Sequence, residues 1–186
     1  MVVHQLDVAE EGSRRDFFQA LAADTEKLDV LINNAGVISG NEQFAYPFGG
    51  LQQADLCRVL LVNCVAPLMM AEGVFPLLEK GKKPVVVNIT SDNGSISMRN
   101  SGGKYGYCAS KAALNMITKI LSFDLLEHGI PVLSLHPGWV QTPMTHNEDA
   151  PLTPAESIDG MLQVIDSLEM KDSGRFLDWQ GNEIPW

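Results

Sequence analysis

The stretch Pro84-Val85-Val86-Val87-Asn88-Ile89-Thr90 decides the fold. A β-branched run of this kind reads as a strand, and the apolar runs around it alternate with helical patterns. That alternation is the sequence form of an α/β fold with a parallel sheet. Upstream, Leu51 to about Glu79 carries a long helical pattern with Pro67 and Gly73 inside it, and Leu28 to Asn33 is a second buried strand. Val2 to Val8 reads as a short strand. A helix follows over Arg14 to Ala23, where Phe17, Phe18 and Leu21 share a face and Ser13-x-x-Asp16 offers a capping signal. Downstream, a helix from Gly106 to Glu127 stops at His128-Gly129, and Val132 to Leu135 is the next strand. Thr153-Pro154-Ala155-Glu156 opens a helix to about Leu168, with Thr153 as cap, proline at the first position and Glu156 closing a capping box. Gly174 to Trp179 is the last strand. Residues 37–50, 92–104 and 139–152 read as loops, and 1–186 as one domain.

Composition narrows the function classes. The chain has 186 residues, 45% hydrophobic and 19% charged, enough for one soluble domain with a core. A net charge of −10 argues against nucleic acid, because phosphate binding needs a basic face. Apolar runs such as Val85–Val87 are too short to span a membrane. Met1 to Gln5 lacks the basic and apolar segments of a secretory signal. Cys57, Cys64 and Cys108 form no Cys-x-x-Cys pair and read as free thiols of a reducing cytoplasm. The four histidines show no metal-ligand spacing, so no metal site is expected.

Four features carry chemistry. In Tyr107-Cys108-Ala109-Ser110-Lys111, a spacing of four on a helix puts a phenol and an ammonium on one face. A nearby positive charge favours phenolate, so Lys111 is expected to draw the Tyr107 pKa from about 10 toward neutrality, making it a general acid or base. The bland alternative is an ordinary helix face. Asn33-Asn34-Ala35-Gly36 closes a strand at the edge where ligands bind open α/β sheets, or is simply a turn. Ser91 follows the Val85–Thr90 strand at the same edge, placed to donate to a substrate oxygen, with Ser95 and Ser97 as rivals. Asn63 lies four residues before Pro67, which has no N–H, so the Asn63 carbonyl loses its helical partner. The outcome is either a plain kink or, if that carbonyl faces Lys111, a bound water linking the lysine to solvent.

Together with Asp7-Val8, Ile89-Thr90-Ser91 and Pro137-Gly138-Trp139-Val140-Gln141-Thr142, these features resemble the short-chain dehydrogenase/reductase family, in the family's order from residue 7 to 142. The loop Gly94 to Gly103 and the ending Gly181 to Trp186 are similar to the branch of C-factor and sniffer-type carbonyl reductases, and imply a complete C-terminus. The resemblance implies a Rossmann-like, doubly wound parallel sheet and hydride transfer between a nicotinamide and a small carbonyl or alcohol. It makes Tyr107 the acid/base and a coenzyme contact, Ser91 the holder of the substrate oxygen, Lys111 the tuner of Tyr107 and a ribose contact, and Asn63 the anchor of a relay water. Asp7 and Val8 would contact the adenine, Asn34 the adjoining ribose, and Val140 and Thr142 the carboxamide. It favours NADP over NAD, and a cytoplasmic homo-oligomer joined through the helices of Asn63 and Tyr107.

The family's opening strand and Thr-Gly-x-x-x-Gly-x-Gly loop have no counterpart here. The fold is therefore expected as an N-terminally truncated one, with the first two strands and their helices missing. Val2–Val8 would then either pair with Leu28–Asn33, or edges would pair between protomers. A second function class follows, a catalytically impaired homologue acting through association or signalling. Met98, Trp139 and Met144 suggest an apolar substrate pocket.

Overall fold

The computed structural model describes residues 1–38, 48–145 and 150–186. Among them, four parallel strands form one sheet in the order β1 (Val30–Asn33), β2 (Val85–Ile89), β3 (Val132–His136) and β4 (Phe176–Asp178). The valine run behaves as a strand buried from both sides. Its side chains alternate, so Val86 joins Leu31 and Val132 against Ala71, Val74 and Leu78 on one face. Val85 and Val87 join Leu133, Leu135 and Val164 on the other. Fully buried valines at such positions contribute about 1.5–3 kcal/mol each.

Among the described residues five α-helices accompany the sheet: α1 (Glu11–Asp24), α2 (Gln53–Leu60), α3 (Ala66–Leu78), α4 (Tyr105–Asp124) and α5 (Pro154–Asp166). The Thr153 capping box forms as expected: Thr153 Oγ1 accepts the Glu156 N–H, and Glu156 Oε2 accepts the Thr153 N–H at 2.9 Å. Between α2 and α3 the ladder widens into a π turn over Leu61–Val65, where the Ala66 N–H reaches back to the Leu61 carbonyl. Pro67, which cannot donate, stands just beyond it, so the expected disturbance takes the form of a π bulge. The continuous helical span Gln53–Leu78 is long and apolar enough to cross a membrane, by length and composition alone, with a mean hydropathy of 1.7. The reading of the chain's apolar runs as too short is corrected to that extent; half of this stretch is buried against the sheet and neighbouring helices.

Two expectations at the N-terminus fail. Val2–Val8 is not a strand and does not pair with Leu28–Asn33. The segment is held to α1 by side chains instead: His4 Nε2 meets Asp24 Oδ2 at 2.8 Å, and its ring meets Phe17 edge-on. Ser13 is not the cap of α1, which begins at Glu11; its hydroxyl accepts the Asp7 N–H at 2.8 Å. Among the described residues the outer edge of β1 has no partner strand, with Val30 and Ile32 40% and 44% exposed. Of the expected loops, residues 39–47 and 146–149 lie outside the described residues.

Candidate active site

The carboxyl ends of the strands and the start of α4 converge on a cleft of ≈ 710 Å³. Its walls include Asn34, Gly36, Tyr107, Lys111, Val140 and Thr142. Two glycines make this convergence possible. Gly94, just past Ser91, lies so close to α4 that an added Cβ would stand 2.9 Å from the Lys111 backbone carbon. Gly138 has a φ of 85°, and a Cβ there would press on Leu152 and Trp179.

Lys111 is buried at 5% exposure, and its Nζ donates to the Ile89 carbonyl at 2.8 Å. Burial draws its pKa down to about 8. Its ammonium stands 5.8 Å from the centre of the Tyr107 ring. Tyr107 nevertheless lies above the ordinary tyrosine value. Burial disfavours the phenolate, the Ser91 hydroxyl opposes that, and the charges of Asp92 and Cys108 add to it. The expected lowering by Lys111 is therefore not seen: desolvation dominates, and the ammonium is engaged by a β2 carbonyl.

Asn63 sits in the π bulge with its side chain fully engaged. Oδ1 accepts the Val37 N–H at 2.8 Å, while Nδ2 donates to the Val37 carbonyl at 2.8 Å and to Ser110 Oγ at 3.0 Å. It thus ties the Asn34-Ala35-Gly36 turn to α4. A Cβ on Gly36 would lie 3.6 Å from Asn63 Oδ1 and 3.8 Å from Lys111 Nζ, so the glycine leaves a small space that both side chains face. Asn33 braces the same edge from behind, its Nδ2 donating to Asn88 Oδ1 at 2.8 Å and to the Pro67 carbonyl at 3.2 Å.

Ser91 is buried beside Tyr107 at the end of β2. Its rivals are occupied elsewhere: Ser95 Oγ donates to the Pro185 carbonyl at 2.6 Å, and Ser97 Oγ to the Trp186 carbonyl at 2.7 Å. Asp7 and Val8 stand outside the main cleft. Asp7 is exposed and its Oδ1 accepts the Ala9 N–H, whereas Val8 lines a groove of ≈ 270 Å³ that shares Asn34 and Ala35 with the cleft. Of the three expected apolar residues, Met144 lines the cleft, Trp139 is exposed, and Met98 borders a polar pocket with Asp92, Arg99 and Lys104. Among the described residues, no group of three His, Cys, Asp or Glu is arranged to hold a metal.

The sequence reading expects the loops Asn93–Lys104 and Trp139–Leu152 to line the substrate pocket, but it gives Asp92, Asn93 and Arg99 no individual role. The Arg99 guanidinium donates to the carbonyls of Ser101 at 2.6 Å and Gly102 at 2.9 Å and to Asn93 Oδ1 at 3.1 Å, fixing the loop that delivers α4. Lys104 at its end holds a left-handed φ of 52°. The available signal was the adjacency of Asp92 and Asn93 to Ser91.

Residues 1–152 match the family model described as short chain dehydrogenase. The chain is 44% identical over 162 residues to the C-signal of Myxococcus xanthus, covering 87% of this chain and 95% of that protein. It superposes on the NADPH-bound carbonyl reductase from chicken fatty liver with a TM-score of 0.91 at 34% identity, covering 100% of this chain and 77% of that one. For the carbonyl reductase Sniffer of D. melanogaster the TM-score is 0.92 at 32% identity, covering 98% and 77%. Strand order, site geometry and these likenesses agree, and the chain belongs to the short-chain dehydrogenase family of oxidoreductases.

Proposed function

We propose that this chain is an NAD(P)-dependent carbonyl reductase or alcohol dehydrogenase acting on a small carbonyl or alcohol. The observation that carries the reading is the meeting of Ser91, Tyr107 and Lys111 at one sheet edge beside the cleft. The residues present suit the nicotinamide half of the coenzyme: Gly36 and Gly138 leave room, Lys111 offers an ammonium toward the ribose, and Val140 and Thr142 face the same space as Asn34. A bound nicotinamide would supply or accept the hydride. The NADPH-bound chicken neighbour supports NADP as the preferred form. Asp7 and Val8 are assigned to the adenine end, where Val8 borders the adjoining groove.

Tyr107 keeps its proton at neutral pH because burial disfavours the phenolate, which suits it to protonate a carbonyl oxygen during reduction. Ser91 donates to the same oxygen and fixes its position. Lys111, drawn down to about 8, exchanges a proton readily near physiological pH and can reload the tyrosine. Asn63 anchors the relay water in the space that Gly36 leaves open before Lys111. The test is consumption of NADPH with a ketone. Tyr107→Phe loses turnover but keeps coenzyme binding, and a variant that retains most of its activity contradicts the role.

Exposed Met116, Ile120 and Phe123 on α4, with Leu60 and Val65 at the π bulge, support self-association through these helices, checked by sedimentation; a cytoplasmic location belongs to the same proposal. A second reading is a catalytically impaired homologue that acts through association or signalling. It is favoured by the 44% identity to C-signal, matched over 95% of its length. The two separate on coenzyme binding.

A further inference from the structure

A serine hydroxyl has one proton and two acceptor positions. Three hydrogen bonds of Ser91 Oγ run to the two residues that follow it, with the Tyr107 phenol competing for the same hydroxyl. Its Oγ donates to Asp92 Oδ1 at 3.0 Å, and accepts the Asn93 N–H at 3.2 Å and Asn93 Nδ2 at 3.3 Å. Asn93 Nδ2 also donates to Asp92 Oδ1 at 3.1 Å, and Asn93 Oδ1 accepts from Arg99, so the carboxylate is fixed within the loop network.

We propose that Asp92 is a positioning residue that competes for the Ser91 proton, so that a substrate carbonyl or the phenolate of Tyr107 gains the Ser91 hydrogen bond only by displacing the carboxylate. The inference rests on the pairing of Ser91 with Tyr107 in the proposed function. A charged acceptor forms a hydrogen bond roughly twice as strong as a neutral one, so Asp92 holds the proton against a neutral carbonyl until that oxygen is held by other contacts as well. The charged and titratable groups around the pair are few. Tyr107 faces Asp92 from the loop after β2, and Cys108 and Lys111 from its own helix. Asp92 faces Cys108, and also His136 at the end of β3, which Asp178 of β4 faces in turn. Arg99 and Lys104 act on Cys108 from the loop before α4.

The test is a tyrosinate absorbance titration of the full chain without coenzyme, with Tyr107 isolated from Tyr46 and Tyr105 by subtracting the Tyr107→Phe variant. Asp92→Asn lowers the pH at which Tyr107 ionises by about one unit, because it removes a nearby negative charge. The same change made in a Ser91→Ala background gives a smaller shift, since no released Ser91 proton is then available to the phenolate. Equal shifts in both backgrounds, or no shift with Ser91 present, overturn the proposal. Asp92→Ala gives the same comparison should Asp92→Asn fail to fold, which circular dichroism reports. Neither arm requires turnover. An inactive chain that passes the titration counts against the proposed function and leaves the role of Asp92 standing.

Discussion

The two flanks of the sheet are built differently. From β2 onward every strand is hydrogen-bonded to its neighbours, Asn88 ties β2 to Thr118 of α4, and the loop after Ser91 is braced by Arg99, although Ser134 Oγ and His136 Nδ1 on β3 are buried without a partner. On the β1 flank the outer backbone edge pairs with no strand among the described residues, and residues 2–8 are tethered by the His4–Asp24 contact, a ring contact and a turn. The difference teaches that the residues proposed to move the proton sit on β2, α4 and the π-bulged helix, braced by the turn after β1, and take no contact from residues 2–8 among the hydrogen bonds described. Changes on the two flanks should therefore differ in size and in kind.

The largest effect is expected at the chemistry itself. Tyr107→Phe lowers ketone turnover by about 10²–10⁴-fold, the range of a lost general acid, while thermal unfolding moves little. Next is the buried network behind it, in which Asn88 accepts from Asn33 and donates to Thr118 Oγ1 at 2.9 Å. Asn88→Ala takes one bond from each partner, leaving Asn33 its bond to the Pro67 carbonyl and Thr118 its bond to the Leu114 carbonyl, and should cost about 1–3 kcal/mol in urea unfolding.

Lys111→Met should act in the opposite direction on stability. It removes a buried ammonium and is expected to raise stability at pH 7 by about 1–3 kcal/mol while abolishing turnover. The wild-type lysine is held at about 8 when folded, below its ordinary value of 10.5, so above pH 8 the unfolded chain binds more protons. Wild-type stability therefore gains from this group as pH rises from about 8 toward 10.5, and the variant lacks that gain. Urea midpoints across that range check the sign. The smallest effect is on the other flank: Leu6→Ala, half-buried against the groove, should cost under about 1 kcal/mol.

Much of this was legible in the sequence, for physical reasons that can be named. Val85–Ile89 is a strand because a β-branched run can bury itself on both faces only in a covered sheet. The Thr153 box and Pro67 acted locally, as caps and prolines do. Val2–Val8 was misread because an apolar run becomes a strand only when its backbone pairs with an edge. This one lies beside β1, with Leu6 and Val8 in a groove with Leu31 and Ile32, and is held to α1 by side chains instead. The Tyr107 reading failed in sign for a related reason. Spacing on a helix reports which side chains are neighbours, not how far burial outweighs their charges. Asp92 and Asn93 passed as loop residues because only the fold shows them bonded to the Ser91 hydroxyl.

The most direct test is a titration of the 186-residue chain with NADPH, followed by tryptophan fluorescence, with Tyr107→Phe in parallel. The account predicts saturable binding at millimolar concentration or tighter in both proteins, because the tyrosine moves a proton and is not needed to hold the coenzyme. No detectable binding of NADPH or NADH at millimolar concentration would contradict it.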